Sequence, residues 1–550
     1  MIFSFNTIGW IALIAGFCVA SWTITKRFLH FFQQEEYDAR RFLYWWIASN
    51  SFERRATIFA LIFTLCSLYL IPESYFLFMA ASCLFASIIA LFGATNRPAN
   101  TKKPLVMTAR ATRIFTLAIG LQIFSLIFGS TYFASALNQY CTLPYLPVTL
   151  FFIALSFILV PMFIVIANGL LVPYESLNQK KFYKEAQAIL LDRDTVLIGI
   201  TGSYGKTSIK QILAHILNAH APTLATPGSV NTVMGIARII REKLTRDHEY
   251  FIVEMGAYGV GSIQRLCQFT PPKVGIVTAV GVAHFERFKS QKTIFEAKSE
   301  LPQALPEDGF VILNGDDPFC RRMAERTKAK ALFYGTDRDA GALDCCLSDY
   351  ELTADGIRCC FEYQDGSHQV TLPIYGLHQA MNAAGAFLTA MQLGVAPLTA
   401  IAALKSMPPI DHRLVVQKSA GGVTIIDDAY NSNPTGFENA LDVLRILPGQ
   451  RKILVTPGMV ELGDREDAEH QRLAPKIAES CDIICLVAPQ RVQSLVDALT
   501  QQVQGDGLKL FSTLQEAREF LNQNLKPGDV VLYENDLPDL YESRQAFRLF

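Results

Sequence analysis

The sequence Val196-Leu-Ile-Gly-Ile200, continued by Thr201-Gly-Ser-Tyr-Gly-Lys-Thr-Ser208, decides the fold of the chain that follows it. An apolar run, a loop with two glycines and a run with apolar residues at helical spacing predict a strand, a loop and a helix. Glycines let backbone amides approach phosphate oxygens, and a helix N-terminus adds partial positive charge. Lys206 would neutralise further charge, and the Thr207 hydroxyl is suited to magnesium. The stretch therefore predicts a loop that binds the phosphates of a nucleotide.

The alternative is an ordinary turn that contains Gly-Lys-Thr by chance, because Ile200 stands where the standard phosphate-loop string has its first glycine. The apolar strand before the loop and the amphipathic run after it favour the phosphate-binding interpretation. The residues that we assign to the nucleotide on this basis are Thr201, Gly202, Ser203, Gly205, Lys206, Thr207 and Ser208.

The composition indicates a large chain that is partly embedded in lipid. Of its 550 residues 51% are hydrophobic and only 18% are charged, and the mean hydropathy is +0.24. Soluble domains carry about 25% charged residues. Its 49 basic and 50 acidic residues nearly cancel, so no overall positive field indicates a nucleic-acid partner. The 12 cysteines are scattered over the whole length, unlike those of a small disulfide-rich scaffold.

The apolar residues are concentrated before residue 175. Each of five runs is near the length of about 20 residues that a helix needs to cross a bilayer. We therefore predict a helical transmembrane region over residues 1–173 with about five spans, of which the second is the shortest. A single long hairpin over residues 56–94 is the alternative for the second and third. The five runs are 2–25, 56–72, 74–94, 114–134 and 148–172.

Charge placement predicts the orientation of these spans. All lysines and arginines of the first 173 residues lie in two blocks, Lys26–Arg55 and Arg97–Arg113, which the positive-inside rule assigns to the cytoplasm. Five spans then place everything after Pro173 in the cytoplasm, so we predict a multi-pass protein of the cytoplasmic membrane. The last three runs hold no Asp, Glu, Lys, Arg or His, which favours an anchor over a transport path. The stretch 28–55 is either an interfacial helix or a short loop with an apolar face.

From Tyr174 onward short β-branched runs alternate with helical stretches, which predicts parallel sheets covered by helices, an α/β architecture. Pro408 and Pro409 interrupt the helical pattern, so we divide this part into a nucleotide-binding domain, 174–410, and a Rossmann-like domain, 411–550. The predicted strands are 195–200, 250–254, 273–279, 309–313, 423–427, 452–456, 482–487 and 529–533.

Two further strand ends carry polar residues that extend the phosphate-loop motif. They are Val253-Glu254-Met255-Gly256 and Thr278-Ala-Val-Gly-Val-Ala-His284, and Lys298 follows fourteen residues after the histidine. Taken alone, Lys298 would be a solvated helix residue. Together with the Thr-Gly-x-x-Gly-Lys-Thr loop, however, these elements resemble the Mur ligases, ATP-dependent enzymes that form amide bonds in cell-wall synthesis. The resemblance implies that Thr207, Glu254, His284 and a carbamylated Lys298 bind magnesium.

Three later elements continue the resemblance. Gly376-Leu-His-Gln-Ala-Met-Asn382 is similar to the family element whose asparagine contacts adenine, and Asp411-His-Arg413 is similar to the one whose arginine reaches the terminal phosphate. Asp427-Asp428-Ala-Tyr-Asn431-Ser-Asn433-Pro434 resembles the branch that adds D-alanyl-D-alanine. By this comparison Asp428 would hold the ribose or orient the nucleotide.

The resemblance implies a ligase that phosphorylates the carboxylate of a cell-wall precursor and joins it to an amino acid or a dipeptide. Lys206, His284, Lys298 and Arg413 would be its catalytic residues, with ATP and magnesium as cofactors. The sequence departs from the D-alanyl-D-alanine branch at three places. Membrane spans stand where the UDP-sugar domain is expected, Tyr258-Gly-Val-Gly-Ser262 replaces Asn-His-x-Gly-Glu, and Tyr533-Glu-Asn-Asp replaces Lys-Gly-Ser-Arg. The alternatives are a ligase for a lipid-linked or other acceptor and a membrane scaffold that binds nucleotide without catalysis.

Two adjacent cysteine pairs, Cys345-Cys346 and Cys359-Cys360, raise the alternative of a zinc ribbon. Their spacing lacks the two to four residues that separate paired zinc ligands. We instead predict two paired strands of a hairpin that turns near residues 353–356.

Overall fold

A computed structural model describes the protein over residues 2–35, 37–48, 54–70, 84–85, 88, 105–137, 145–257, 259–281, 288, 290–410, 413–419, 421–429, 434–459, 462, 465–503 and 505–535. The chain divides into a helical unit, which includes residues 1–178, and an α/β unit, residues 179–536.

The helical unit consists of apolar helices, and the last of them ends in the second unit. The helices are α1 (Ile2–Gln34), α2 (Ala39–Ala48), α3 (Arg54–Leu70), α4 (Ala109–Leu137), α5 (Tyr145–Ile158) and α6 (Val160–Leu191). Among the described residues, three segments are long and apolar enough to cross a membrane: Trp10–Gln34, Ala109–Ala136 and Val160–Leu191.

The prediction of five spans is therefore not confirmed. The run 56–72 forms a helix of only 17 residues, and the run 148–172 is divided between α5 and α6. The run 74–94, and with it the hairpin alternative, lies largely outside the described residues. Part of the stretch 28–55 is helical, as α2 and the end of α1 show.

Polar contacts join the end of α1, the start of α4 and the middle of α6. The Gln33 amide, near the end of α1, donates to the Val106 carbonyl at 2.8 Å. On the first turns of α4, Arg113 pairs with Glu175 of α6 at 2.7 Å. Deeper in the unit the Gln122 amide donates to the Thr25 hydroxyl at 2.9 Å. The two basic blocks of the sequence thus meet at the same end, as the charge pattern predicts.

The first half of the α/β unit alternates strands and helices, and every strand predicted there is present. Its elements are β1 (Val196–Thr201), α7 (Lys206–Asn218), β2 (Thr223–Ala225), α8 (Val233–Lys243), β3 (Tyr250–Glu254), α9 (Ser262–Phe269), β4 (Val274–Val277), α10 (Gln291–Ala304), β5 (Phe310–Asn314), α11 (Pro318–Met323), a 3-10 turn (Ala324–Arg326), β6 (Lys330–Gly335), β7 (Cys345–Thr353), β8 (Gly356–Tyr363), β9 (Gly366–Leu372), α12 (Leu377–Gln392) and α13 (Pro397–Lys405).

These strands form one nine-stranded sheet in the order β2-β3-β1-β4-β5-β6-β7-β8-β9. The pairs from β2 to β7 are parallel, and β7–β9 form antiparallel hairpins. Apolar clusters bury both faces: α7 and α12 pack on one and α8, α9 and α10 on the other. Because β1 lies between β3 and β4, the carboxyl ends of these three strands are adjacent, which is where parallel sheets bind ligands.

The second half forms a smaller sheet. Its elements are β10 (Val415–Lys418), β11 (Thr424–Asp428), α14 (Pro434–Ile446), β12 (Lys452–Thr456), α15 (Glu466–Ser480), β13 (Ile483–Val487), a 3-10 turn (Pro489–Arg491), α16 (Gln493–Gln502), β14 (Leu508–Phe511), α17 (Leu514–Asn524) and β15 (Val530–Glu534). The six strands lie in the order β10-β11-β15-β12-β13-β14, and only β10 is antiparallel to its neighbour.

The adjacent cysteine pairs lie on the predicted hairpin. Strands β7 and β8 pair antiparallel, and the register closes with Thr353 opposite Gly356. All four cysteines are buried, and those at positions 345 and 359 belong to the apolar core. They are therefore part of the packing between β7, β8 and the helices that cover them.

Candidate active site

The loop between β1 and α7 has a backbone that only glycine can adopt at two positions. Gly205 precedes the helix with φ of 79°. At Gly202 φ is 153°, and a Cβ atom would lie 1.8 Å from the Thr278 hydroxyl oxygen. Because neither position has room or conformation for a side chain, the backbone of the loop passes close to the end of β4.

Hydrogen bonds hold this loop against the residues that follow β4. The Ser203 amide donates to the Ala279 carbonyl at 2.8 Å, and the Ser203 hydroxyl donates to the Gly281 carbonyl at 3.0 Å. The Thr278 hydroxyl donates to the Tyr204 carbonyl. The side chains of Ser203 and Thr278 therefore fix the conformation of the loop.

Lys206 extends along the loop that precedes it. Its ammonium donates to the Gly202 carbonyl at 2.8 Å. Burial lowers the pKa of this group; the nearby Glu254 carboxylate opposes that shift, and Arg413 and Lys210 add to it. This concentration of cations, with one carboxylate among them, is a site with net positive charge that suits a polyphosphate.

Glu254, at the end of β3, is the centre of a buried network. One of its oxygens, Oε2, accepts from the Thr207 hydroxyl and from the Lys210 ammonium, both at 2.9 Å. The Asn231 amide lies 3.5 Å from the other carboxylate oxygen. In octahedral coordination each oxygen ligand lies about 2.1 Å from the magnesium ion, so two adjacent ligand oxygens lie about 3 Å from each other. The hydroxyl of Thr207 and the carboxylate of Glu254 therefore fit a shared magnesium ion.

Lys298 lies on α10 and is only 5% exposed. Burial lowers the pKa of its ammonium well below the usual range, and the charge of Lys206 lowers it further. Among the described residues, no carboxylate forms an ion pair with Lys298. A neutral, enclosed amine is the form that reacts with carbon dioxide. His284, the remaining predicted metal ligand, lies outside the described residues.

On the nucleotide side, Asn382 of α12 lies against the phosphate loop. A Cβ atom at Gly205 would meet its side-chain oxygen at 2.6 Å. His378, one turn earlier, is enclosed, and burial lowers the pKa of its imidazole to about 4, with Arg413 contributing. The structure thus places Asn382 against the phosphate loop, and the charge of Arg413 is near enough to lower the pKa of Lys206. The contacts of these two residues with adenine and with the terminal phosphate stay predictions.

Asp428 and Glu534 form a buried pair of carboxyl groups at the ends of β11 and β15. The two residues are in register, and their side chains are hydrogen-bonded. The Leu414 amide donates to the Asp428 carboxylate at 3.3 Å. Burial raises the pKa of Asp428 to about 7, although Arg413 opposes the shift. Asp428 is therefore protonated over a pH range in which an ordinary aspartate is ionised.

This shift makes stability depend on pH. Between pH 3.8 and about 7, folded Asp428 keeps a proton that the unfolded chain loses, so the free energy of unfolding falls as pH rises through this range. We expect Asp428→Asn to remove this contribution, so that the variant loses less stability than the parent between about pH 4 and pH 7. Urea unfolding of the detergent-solubilised protein measures the two slopes. Equal slopes would contradict the assignment.

The sequence did not single out Lys210, Asn231 or Glu534. Lys210 follows Lys206 by one helical turn and lies between Ile209 and Ile212. This position beside the apolar face of the helix could have indicated a buried lysine, and a buried charge requires a charged or hydrogen-bonding partner. Thr201 is also placed differently from the prediction in one respect. Its hydroxyl is buried and donates to the Met255 carbonyl at 3.1 Å, so the side chain does not point to a nucleotide.

Comparison with known proteins agrees with this geometry. The family profiles described as "Mur ligase middle domain" and "Mur ligase, glutamate ligase domain" match residues 200–390 and 412–533. The UDP-N-acetylmuramoyl-tripeptide–D-alanyl-D-alanine ligase of Mycobacterium tuberculosis (strain CDC 1551) is 34% identical over 357 residues, which cover 61% of this chain and 69% of the relative. The chain belongs to the Mur ligase family. It is accordingly an ATP-dependent ligase.

Other relatives of this Mur ligase bear the same name. That of Bacillus subtilis (strain 168) is 28% identical over 352 residues, covering 64% of this chain and 75% of the relative. Among solved structures, MurF from Acinetobacter baumannii is 29% identical with a TM-score of 0.59. The aligned part covers 67% of this chain and 80% of the MurF chain. MurF from Thermotoga maritima in complex with ADP is 27% identical with a TM-score of 0.57, covering 66% and 82%.

Proposed function

We propose that this Mur ligase joins D-alanyl-D-alanine to the carboxylate of a UDP-N-acetylmuramoyl-tripeptide and converts ATP to ADP and phosphate. The names of its relatives support the two substrates. The observation that carries the ATP-dependent part is the phosphate loop, in which Lys206 faces the loop backbone and Thr207 contacts Glu254. A site that retains these charged groups supports catalysis over a scaffold that only binds nucleotide.

The carboxylate must first be phosphorylated by ATP, because a carboxylate is a poor electrophile. A carboxylate oxygen of the acceptor attacks the terminal phosphorus of ATP, and the bond to ADP breaks, which yields an acyl phosphate. The neutral amine of the second substrate then attacks the acyl carbon, phosphate leaves with the electron pair of the C–O bond, and the amine loses a proton. Phosphoryl transfer of this kind requires mainly charge neutralisation and positioning.

Lys206 and Arg413 would neutralise charge on the phosphates, and Asn382 and Asp428 would hold the adenine and ribose ends. Thr207, Glu254 and His284 are the proposed ligands of magnesium. When bound, magnesium neutralises phosphate charge and orients the terminal phosphate. We further propose that the neutral Lys298 amine adds to carbon dioxide and releases a proton, so that the carbamate becomes a further oxygen ligand.

The placement of this enzyme at the cytoplasmic membrane is also proposed. Three apolar helices of sufficient length support it, and the basic blocks support a cytoplasmic location of the α/β unit. Residues 1–173 would form the membrane region, 174–410 the ATP-binding domain and 411–550 the second ligase domain.

Phosphate release by the detergent-purified protein tests the proposed reaction. We expect release with ATP and magnesium only when UDP-N-acetylmuramoyl-tripeptide and D-alanyl-D-alanine are both present, together with a mass increase of the sugar peptide. Lys206→Ala should show no release and serves as the control for a contaminating ligase. Nucleotide binding without release under all conditions would contradict the proposal and favour the scaffold.

A second acceptor is suggested by one observation. The similarity to the curated relatives leaves about a third of their length unmatched, and apolar helices occupy the beginning of this chain. A lipid-linked muramoyl peptide in the same detergent assay is the alternative acceptor. Release with this substrate and not with the UDP-linked one would select it.

A further inference from the structure

Arg110, on the first turn of α4, contacts two neutral groups, the Tyr37 ring and the Asn168 side chain. Its guanidinium carbon lies 4.3 Å from the centre of the Tyr37 ring, and Nη2 donates to the Asn168 side-chain oxygen at 3.1 Å. Within the described part of the chain, no carboxylate forms an ion pair with Arg110. Arg113, one turn further along the same helix, pairs instead with Glu175. Among the residues that the structure describes, only Arg113 of these two arginines has a carboxylate partner.

Other contacts fix the positions of the two groups, Tyr37 and Asn168, that contact the guanidinium. Tyr37 has φ of 62°, and its hydroxyl accepts from the Gln33 amide at 3.0 Å. The Gln33 side chain also exchanges two hydrogen bonds with the backbone of Val106, at 2.8 and 3.1 Å. These contacts fix the tyrosine ring beside the segment that leads into α4. Asn168 of α6 is itself 8% exposed, so its position is set by packing.

An arginine in these surroundings favours an anion from outside the chain. Its Nε atom is enclosed and has no hydrogen-bond partner within the described residues, while the side chain as a whole remains partly exposed. A ring face and an amide oxygen leave most of the positive charge uncompensated, and the N-terminus of α4 adds partial positive charge. A guanidinium presents a planar fork of donors that matches phosphate oxygens.

We propose that Arg110, with Tyr37 and Asn168, binds the phosphate of a lipid headgroup. The inference rests on the proposed membrane placement, because the segments that meet at Arg110 contain the basic residues assigned to the cytoplasmic face. Headgroup phosphate is the abundant anion at that depth. The site binds a monoester or diester phosphate by charge and geometry, and the acyl or prenyl chain lies along the apolar helices.

Lipid retention by the full-length protein in maltoside micelles tests this site by native mass spectrometry. The probes are phosphatidic acid, the diacylglycerol that differs from it only by the phosphate, and inorganic phosphate. We expect the parent protein to retain phosphatidic acid and not diacylglycerol, and inorganic phosphate to compete weakly. Arg110→Gln should weaken retention about tenfold or more, because hydrogen bonds to charged groups are lost.

Arg40→Gln is the matched control, since Arg40 is an exposed arginine at the start of α2 and its loss changes the net charge equally. It should retain phosphatidic acid as the parent does. Equal retention by the parent and Arg110→Gln, or equal binding of diacylglycerol, would overturn the proposal, and strong binding of inorganic phosphate would overturn the lipid assignment. The melting temperature and the phosphate release of Arg110→Gln show whether the variant folds. Carbonate extraction of cell membranes tests the membrane placement separately.

Discussion

Lys298→Ala is expected to reduce ATP-dependent phosphate release by about a hundredfold or more. The side chain is buried close to Lys206, and its lowered pKa keeps the amine in the form that can add carbon dioxide. Alanine removes both the amine and the proposed carbamate ligand. Steady-state phosphate release with both substrates at saturation measures the effect.

Two controls separate the carbamate from a structural role of Lys298. Lys292→Ala removes an exposed lysine from the same helix and should leave turnover unchanged. Short-chain carboxylates such as acetate or propionate should restore part of the activity of Lys298→Ala, because they fill the space and supply a carboxylate. Full activity of the variant would rule out the metal-site assignment, and an inactive variant that melts at the parent temperature without rescue would argue against the carbamate.

Lys210→Met is expected to destabilise the ligase by about 3–5 kcal/mol, because it leaves the Glu254 carboxylate as an uncompensated buried charge. The side chains of the two residues are 1% and 2% exposed, and their charged atoms lie 2.9 Å apart. The Lys210 ammonium also donates to the Gly228 carbonyl. Urea unfolding of the solubilised protein without magnesium measures the loss.

The double variant Lys210→Met/Glu254→Gln distinguishes the ion pair from packing. If the loss comes from the unpaired charge, the lysine substitution should cost much less when residue 254 is already neutral. Lys273→Met is the control for an exposed pair, because Lys273 and Asp308 are 54% and 73% exposed, and it should cost less than about 1 kcal/mol. An equal loss in the Glu254→Gln background would contradict the charge argument.

The parallel strands were predictable because their signal is local. Runs such as 195–200 and 452–456 are apolar over the length of one strand, which is typical of strands covered on both faces. The structure places β1 and β12 there with shifts of at most one residue. The strands β2, β6, β9, β10 and β14 were missed. The last two lie at the edges of the smaller sheet, where polar residues interrupt the apolar pattern.

The helical unit shows where local patterns fail. Hydropathy over residues 148–172 predicts one span, but the helices α5 and α6 meet within it. A window average does not detect the end of one helix and the start of the next when both are apolar. The orientation predicted from charge placement stays a prediction, because it concerns the side of a membrane on which each basic block lies.

The sequence by itself determined the phosphate loop, the α/β class and the order of the ligase motifs, because glycine conformation, apolar periodicity and motif spacing are properties of short segments. Only the tertiary structure decided which charges are buried and paired. Lys298 has the sequence environment of a solvated helix residue, and it is enclosed because its face of α10 packs on the sheet. The Lys210–Glu254 pair joins residues 44 positions apart, and the Asp428–Glu534 pair joins two strands that are neighbours only in the folded sheet. The free energy of a charge depends on the atoms that surround it, and those atoms come from distant parts of the chain.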